Sequence, residues 1–151
     1  MTGLNGIVVG VDGSDESRDA LRFALDQARE RSTTVHVVTA YYPPRYWALP
    51  VGMPIAINEE EIAQRVQEQT QALVNEVLAG DSAPPKTDVT TVSGSPAKTL
   101  VAASRDAELL VVGHRGRGAF ASMTLGSVAL HCVLHAQCPV TVFRPRDPSD
   151  S

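Results

Sequence analysis

Cysteine is scarce in this chain. Cys132 and Cys138 are the only two in 151 residues, and they lack the C-x-x-C spacing of a redox or metal motif. A disulfide-stapled scaffold is excluded, and buried thiols in a reducing cytoplasm are expected. The four histidines are not spaced as ligand pairs with these cysteines, so no metal centre is expected. Long apolar runs are absent too, since none approaches the ~20 residues that span a bilayer. No cationic segment leads into an apolar block, so no secretory leader is expected. An excess of positive charge is also missing. Lys and Arg number 13 against 17 Asp and Glu, a net charge of −4, whereas nucleic-acid binders show a basic face or stripe. Neither a membrane nor a nucleic acid is therefore an expected partner.

What is present suits a globule. Hydrophobic residues make up 43% and charged residues 20%. The length allows one domain, 1–151, with its core over about 6–144. There is no repeat and no low-complexity segment. Short apolar runs at 7–11, 35–42, 88–92, 108–112 and 140–143 read as strands. Between them, 15–31, 59–78, 96 to about 104 and 128–135 read as helices. Leu21, Ala24, Leu25 and Ala28 fall on one face of the first, with Ser14 or Asp15 as its N-cap. Ile62, Val66, Thr70, Leu73 and Val77 do so in the second, which Gly80 ends. Pro96 suits a first helical turn. The run 88–92 is less apolar and belongs near a sheet edge.

Strands alternating with helices imply an α/β fold, a doubly wound parallel sheet with helices on both faces. Ligands of such sheets bind beyond the carboxyl ends of the strands, where strand order reverses. The two strand ends richest in glycine and polar residues are Val11-Asp-Gly-Ser14 and Val112-Gly-His-Arg-Gly116. If their strands are neighbours, the two loops form one crevice. Periodicity does not settle that adjacency.

Acidic residues are locally missing as well. None lies between Glu108 and Asp147, a stretch that holds His114, Arg115, Arg117, His131 and His135. Within it, Gly113-His-Arg-Gly116 is followed after nine residues by Gly126-Ser127 at a helix start. Glycine allows close backbone approach and φ > 0, and helix-start N–H groups point at an anion. The segment suits a phosphate; the plain alternative is a long loop. No Walker A loop exists, because Gly94-Ser-Pro-Ala-Lys98-Thr99 lacks the second glycine. Gly116-Arg-Gly118-Ala-Phe-Ala121 matches a dinucleotide fingerprint only superficially, with no acidic residue about 20 positions on. No nucleophile–base pair or carboxylate dyad accompanies the loop. A HIGH-type motif is absent, and Val11-Asp-Gly-Ser-Asp15 only faintly resembles the S-G-G-x-D-S loop of ATP pyrophosphatases. His131 and His135 stand one turn apart without a third ligand and read as ordinary helix residues. Tyr41, Tyr42, Tyr46 and Trp47 gather at a loop with four prolines over 43–57, either a lid or partner surface or a loop tucked onto the sheet.

Several ordered matches resemble one family. Gly113-x2-Gly116-x9-Gly126-Ser127 resembles the nucleotide motif of the universal stress protein family, in its ATP-binding branch. Ile7-Val-Val-Gly-Val-Asp12-Gly-Ser14 is similar to its first strand and acidic turn, and Val92-x-Gly94-x-Pro96 to its third-strand exit. Leu125-Gly-Ser-Val128 and Cys138-Pro-Val-Thr-Val142 resemble its C-terminal signature. The resemblance runs from Ile7 to Arg144 and implies five strands in the order 3-2-1-4-5.

It also implies a binding or regulatory stress-response protein of the cytoplasm rather than an enzyme, with weak ATP hydrolysis left open. The ligand would be ATP, with or without Mg2+; cyclic AMP is the alternative. Gly113 and Gly116 would wrap the phosphates, Gly126 would give room, and Ser127 and Val128 would donate to them. Residue type alone makes Ser127 equally an N-cap. Asp12 would face the ribose, since a carboxylate is repelled by a triphosphate unless Mg2+ intervenes; on residue type alone it is a solvated turn residue. Ala40 would offer backbone to adenine, and Val112 would pack on base or sugar. Arg115 and Arg117 would attract the nucleotide at long range, or serve only as solvated loop cations. Gly10 and Gly118 complete the expected contacts. Family members commonly pair the last strand across a two-fold axis, so a homodimer is expected there.

Overall fold

The apolar runs and helical patterns fold in the order β1 (Ile7–Gly10), α1 (Asp15–Arg31), β2 (Val35–Tyr41), α2 (Glu59–Leu78), β3 (Thr87–Ser93), α3 (Pro96–Ala103), β4 (Leu109–Gly113), α4 (Ser127–His135) and β5 (Val140–Phe143). The structure is a computed structural model and describes residues 3–43, 58–116 and 125–146.

Local chemistry accounts for the helix ends. Ser14, rather than Asp15, caps α1 by accepting from Ser17 N–H at 3.2 Å, and Asn58 caps α2 through Glu60 N–H at 3.1 Å. Gly80, just beyond α2, sits at φ +82, the left-handed backbone that a helix exit favours. The helix expected to reach about residue 104 stops at Ala103 and tightens into a 3-10 turn, Ser104–Asp106. There Ser104 Oγ donates back to Val101 O at 2.7 Å and accepts from Gln137 N–H at 3.0 Å. A buried hydroxyl thus competes with the helical ladder.

All strand pairs are parallel, in the order β3-β2-β1-β4-β5. β3 lies at an edge, as its composition predicts. The near-continuous apolar strands feed two cores by alternation. Ile7, Val9, Leu109 and Val111 face α1 and α2, packing with Leu21, Leu25 and Val74. Val8, Leu110 and Val112 face α3 and α4, packing with Leu100, Ala129 and Cys132. A fully buried Leu or Ile in such a layer contributes about 1.5–3 kcal/mol. Among the described residues, no helix is long and apolar enough to cross a membrane.

The topology resolves the open adjacency. From β1 the chain moves one way to β2 and β3, then returns to place β4 on β1's other side, with Val9 opposite Val111. The strand order reverses between β1 and β4, and their carboxyl ends lie side by side.

Candidate functional site

The loops leaving β1 and β4 open a cavity of about 480 Å³ at this reversal. Small-molecule sites have this size and this position in the fold. From β1 and its turn come Gly10, Val11 and Asp12; from β2, Val38 and Ala40; from β4 and its loop, Val112, Gly113, Arg115 and Gly116. The start of α4 supplies Gly126, Ser127, Val128 and Ala129. Ten of the twelve positions expected to contact a ligand therefore line one cavity. The other two, Arg117 and Gly118, lie outside the described residues, as do Tyr46 and Trp47.

The cavity has two chemical ends. Val38, Ala40, Pro96, Leu100 and Val112 form an apolar side. Gly113, Arg115, Gly116 and the α4 start form a polar side, with Asp12 at its edge beside Gly116. The helix-start N–H groups of α4 have no intrahelical acceptor, and the positive end of the helix dipole lies with them. Gly126 is the N-cap and makes no side-chain cap bond. Ser127 is the first helical residue, so the N-cap reading of Ser127 gives way.

The glycines serve proximity, not backbone handedness. Gly113, Gly116 and Gly126 are not among the positive-φ residues, which corrects the φ > 0 expectation for this loop. A Cβ on Gly126 would stand 3.3 Å from both Arg115 Cα and His114 O. On Gly113 it would stand 3.3 Å from Arg115 O, and on Gly116 2.5 Å from Asp12 Oδ2. Gly126 N–H donates to His114 O at 2.6 Å, which ties the two halves of the loop together.

Asp12 is an exposed turn residue whose Oδ1 accepts from Ser14 N–H at 3.0 Å and Ser14 Oγ at 2.6 Å. Its other oxygen faces Gly116 across the crevice. The same hydroxyl of Ser14 caps α1, so the acidic turn and the helix start form one rigid unit. His131 and His135 lie on α4 with ring centroids 4.5 Å apart and planes tilted by 49°, outside the cavity lining. Among the described residues, no group of three His, Cys, Asp or Glu could hold a metal.

Several lining residues escaped sequence reasoning. Val38, Leu100 and Ala129 carry no signal of their own there beyond membership of a strand or helix, and Pro96 reads only as a helix start and part of the third-strand exit. Gly10 explains part of this: a Cβ on it would meet Leu100 Cδ1 at 2.7 Å, so α3 lies close over β1. Such packing leaves no local mark in sequence.

A model of the universal stress protein family matches residues 4–144. The chain belongs to that family. A universal stress protein of Mycobacterium tuberculosis is 35% identical over 151 residues, covering 95% of this chain and 49% of that protein. The chain thus spans about half the length of the mycobacterial relatives it matches. A Thermus aquaticus universal stress protein is 32% identical over 141 residues, covering 91% of the chain and 97% of the relative. Among solved structures, a universal stress protein in complex with cAMP superposes with TM-score 0.63 at 24% identity, covering 96% of this chain and 100% of that one. The universal stress protein of Archaeoglobus fulgidus in complex with dAMP gives 0.62 at 24%, over 93% and 98%. At these identities the structural likeness speaks for the fold.

Proposed function

We propose that the β1–β4 crevice binds an adenine nucleotide, ATP foremost, and that the chain acts as a nucleotide-linked regulatory module of the cytoplasmic stress response. One observation carries the reading. Two sequence segments about a hundred residues apart, each chosen for its glycine and polar chemistry, meet as the rims of one cavity of ligand size. The glycine loop and the start of α4 would take the phosphates. Asp12 would accept from a ribose hydroxyl, and the apolar side with Ala40 would take the base. Arg115, with Arg117 and Gly118 of the same loop, would complete the phosphate side. Mg2+ would arrive with ATP as part of the ligand.

Cyclic AMP is the second reading, favoured by the neighbour solved in complex with cAMP. Its single phosphate needs less of the glycine loop than a triphosphate does. Catalysis is not part of the proposal, because among the described residues no nucleophile–base pair or carboxylate dyad lines the cavity.

The module acts as a homodimer through β5. Leu110 N–H bonds Pro139 O at 2.9 Å and His114 N–H bonds Phe143 O at 3.0 Å. Odd-numbered β5 residues therefore face β4, and Val140 and Val142 turn their backbone groups to the open edge. Beside this edge, α4 exposes Leu130 (47%), Val133 (51%) and Leu134 (66%). An unpaired strand next to apolar surface invites a second copy.

Denaturing the purified protein and identifying released nucleotide by mass spectrometry tests the binding. Release of ATP supports the first reading and of cyclic AMP the second. No release, with no rise in unfolding temperature on adding either nucleotide, refutes both.

A further inference from the structure

At the cavity lining, the bond from Gly126 N–H to His114 O ties the glycine loop to the start of α4. Behind the loop, outside that lining, stands Glu16 in the first turn of α1. Its Oε2 accepts from the backbone N–H of Arg115 at 2.9 Å, a bond linking residues 99 positions apart. The same oxygen lies 3.2 Å from His114 Nδ1, and Oε1 lies 3.6 Å from Arg115 Nε. Arg115 Nε also donates to His114 Nε2 at 3.1 Å. A guanidinium N–H can only donate, so Nε2 is the unprotonated nitrogen of the ring and Nδ1 carries the proton. The carboxylate thus accepts one hydrogen bond of the loop, from the Arg115 backbone N–H, while the Arg115 guanidinium lies at ion-pair distance and the buried His114 Nδ1 stands beside it without a hydrogen bond. The His114 side chain is 8% exposed and that of Glu16 23% exposed, so the cluster is largely sheltered from water. Close packing accompanies it, since a Cβ on Gly113 would touch Glu16 Cβ at 3.5 Å.

We infer that Glu16 is the positioning residue of the phosphate loop: it holds Gly113–Gly116 in its ligand-ready shape from behind, through the Arg115 N–H. This rests on the nucleotide-binding reading above, which it deepens by naming the support of the site. What the position requires is an acceptor, not a charge. A negative charge this near a phosphate is unfavourable in itself, and here the Arg115 guanidinium, its Nε 3.6 Å from Oε1, offsets it. A first-turn carboxylate also suits the dipole of α1, but Asp15 supplies that in the same turn. A purely dipolar role would leave the loop unmoved when Glu16 is lost.

The experiment compares Glu16→Ala with Glu16→Gln, both checked for folding by circular dichroism. Two quantities are read: the hydrogen-exchange rate of the Arg115 amide by NMR, and the affinity for ATP by calorimetry. In Glu16→Ala, Arg115 exchange should speed at least about 10-fold as its acceptor disappears. ATP affinity should fall about 10-fold or more, the worth of one hydrogen bond to a charged group. Glu16→Gln keeps an acceptor oxygen and should restore both, with ATP bound as tightly as by wild type or more so. Unchanged Arg115 exchange in Glu16→Ala overturns the inference. So does a Glu16→Gln variant as impaired as Glu16→Ala, which would assign the effect to charge. If the wild type binds no ATP, the nucleotide reading fails, while the exchange measurement still decides whether Glu16 holds the loop.

Discussion

Replacing Gly126 with Val should remove nucleotide binding and leave the sheet intact. Gly126 has φ −71 and ψ 157, extended backbone that any residue adopts, so handedness adds no strain. Contact decides the outcome. The first added carbon would already stand 3.3 Å from Arg115 Cα and His114 O and 3.8 Å from Gly116 N. Alanine asks the loop to yield a few tenths of an ångström. Valine adds two methyl groups in the same confined space, so the 114–116 segment must move away. That movement breaks the 2.6 Å bond from Gly126 N–H to His114 O and separates the two halves of the phosphate side. Overpacking of this kind costs about 1–3 kcal/mol of stability. The ligand loses two or more hydrogen bonds to charged oxygen, at about 1.5–3 kcal/mol each, so ATP affinity should fall at least about 100-fold. Calorimetric titration measures the affinity, and urea unfolding checks the fold. Gly80→Ala is the control: its φ of +82 brings strain in open space far from the crevice, so stability drops by about 1 kcal/mol with binding unchanged. Wild-type affinity in folded Gly126→Val would refute the reasoning.

Three further outcomes follow from the same geometry. Ser127→Ala should weaken ATP binding by about 1 kcal/mol or somewhat more without loss of stability, because Gly126 rather than Ser127 caps α4; equal unfolding curves and unequal titrations would check it. Val142→Pro should leave the β4–β5 ladder intact, since its N–H faces the open edge, yet convert the proposed dimer to monomer by light scattering; a monomeric wild type would rule the dimer out, and an unchanged dimer mass in the variant would place the interface elsewhere. Burial pushes the Cys132 thiol up to about 11 and also raises Cys138. At pH 8 only about one Cys132 in a thousand is ionised, so iodoacetamide should modify half-buried Cys138 first. Cys132 should react faster as pH rises toward 11; rapid labelling of Cys132 in the folded protein at pH 8 would contradict its burial.

Local pattern carried most of the fold. The bounds of α1, α2 and β5 follow from periodicity and capping alone, because those signals lie within a few residues of each other. The end of α3 was less legible: Ser104 Oγ donates to Val101 O and accepts from Gln137 N–H, and the second partner is remote in sequence. The adjacency of β1 and β4 was invisible to periodicity and came only with the family resemblance. For the cavity, its two polar rims could be read from glycine and charge, but the apolar lining of Val38, Pro96 and Leu100 could not. Those side chains look like any core residue until α3 is seen lying close over Gly10. The support beneath the loop was hidden for the same reason. Glu16 reads as a helix-start acid, and only the packing of α1 against β4 brings it to His114 and Arg115.

The central claim is that ATP occupies the β1–β4 crevice. Its most direct test is an NMR titration of the isotope-labelled chain with ATP, following backbone amides. Saturable shifts are expected at Asp12, Gly113–Gly116 and Gly126–Val128, with little change at Ser32–Thr34 around the hollow at the opposite, amino end of the strands. Saturating ATP that leaves the crevice amides unmoved, or that shifts only the amides around Ser32–Thr34, would contradict it.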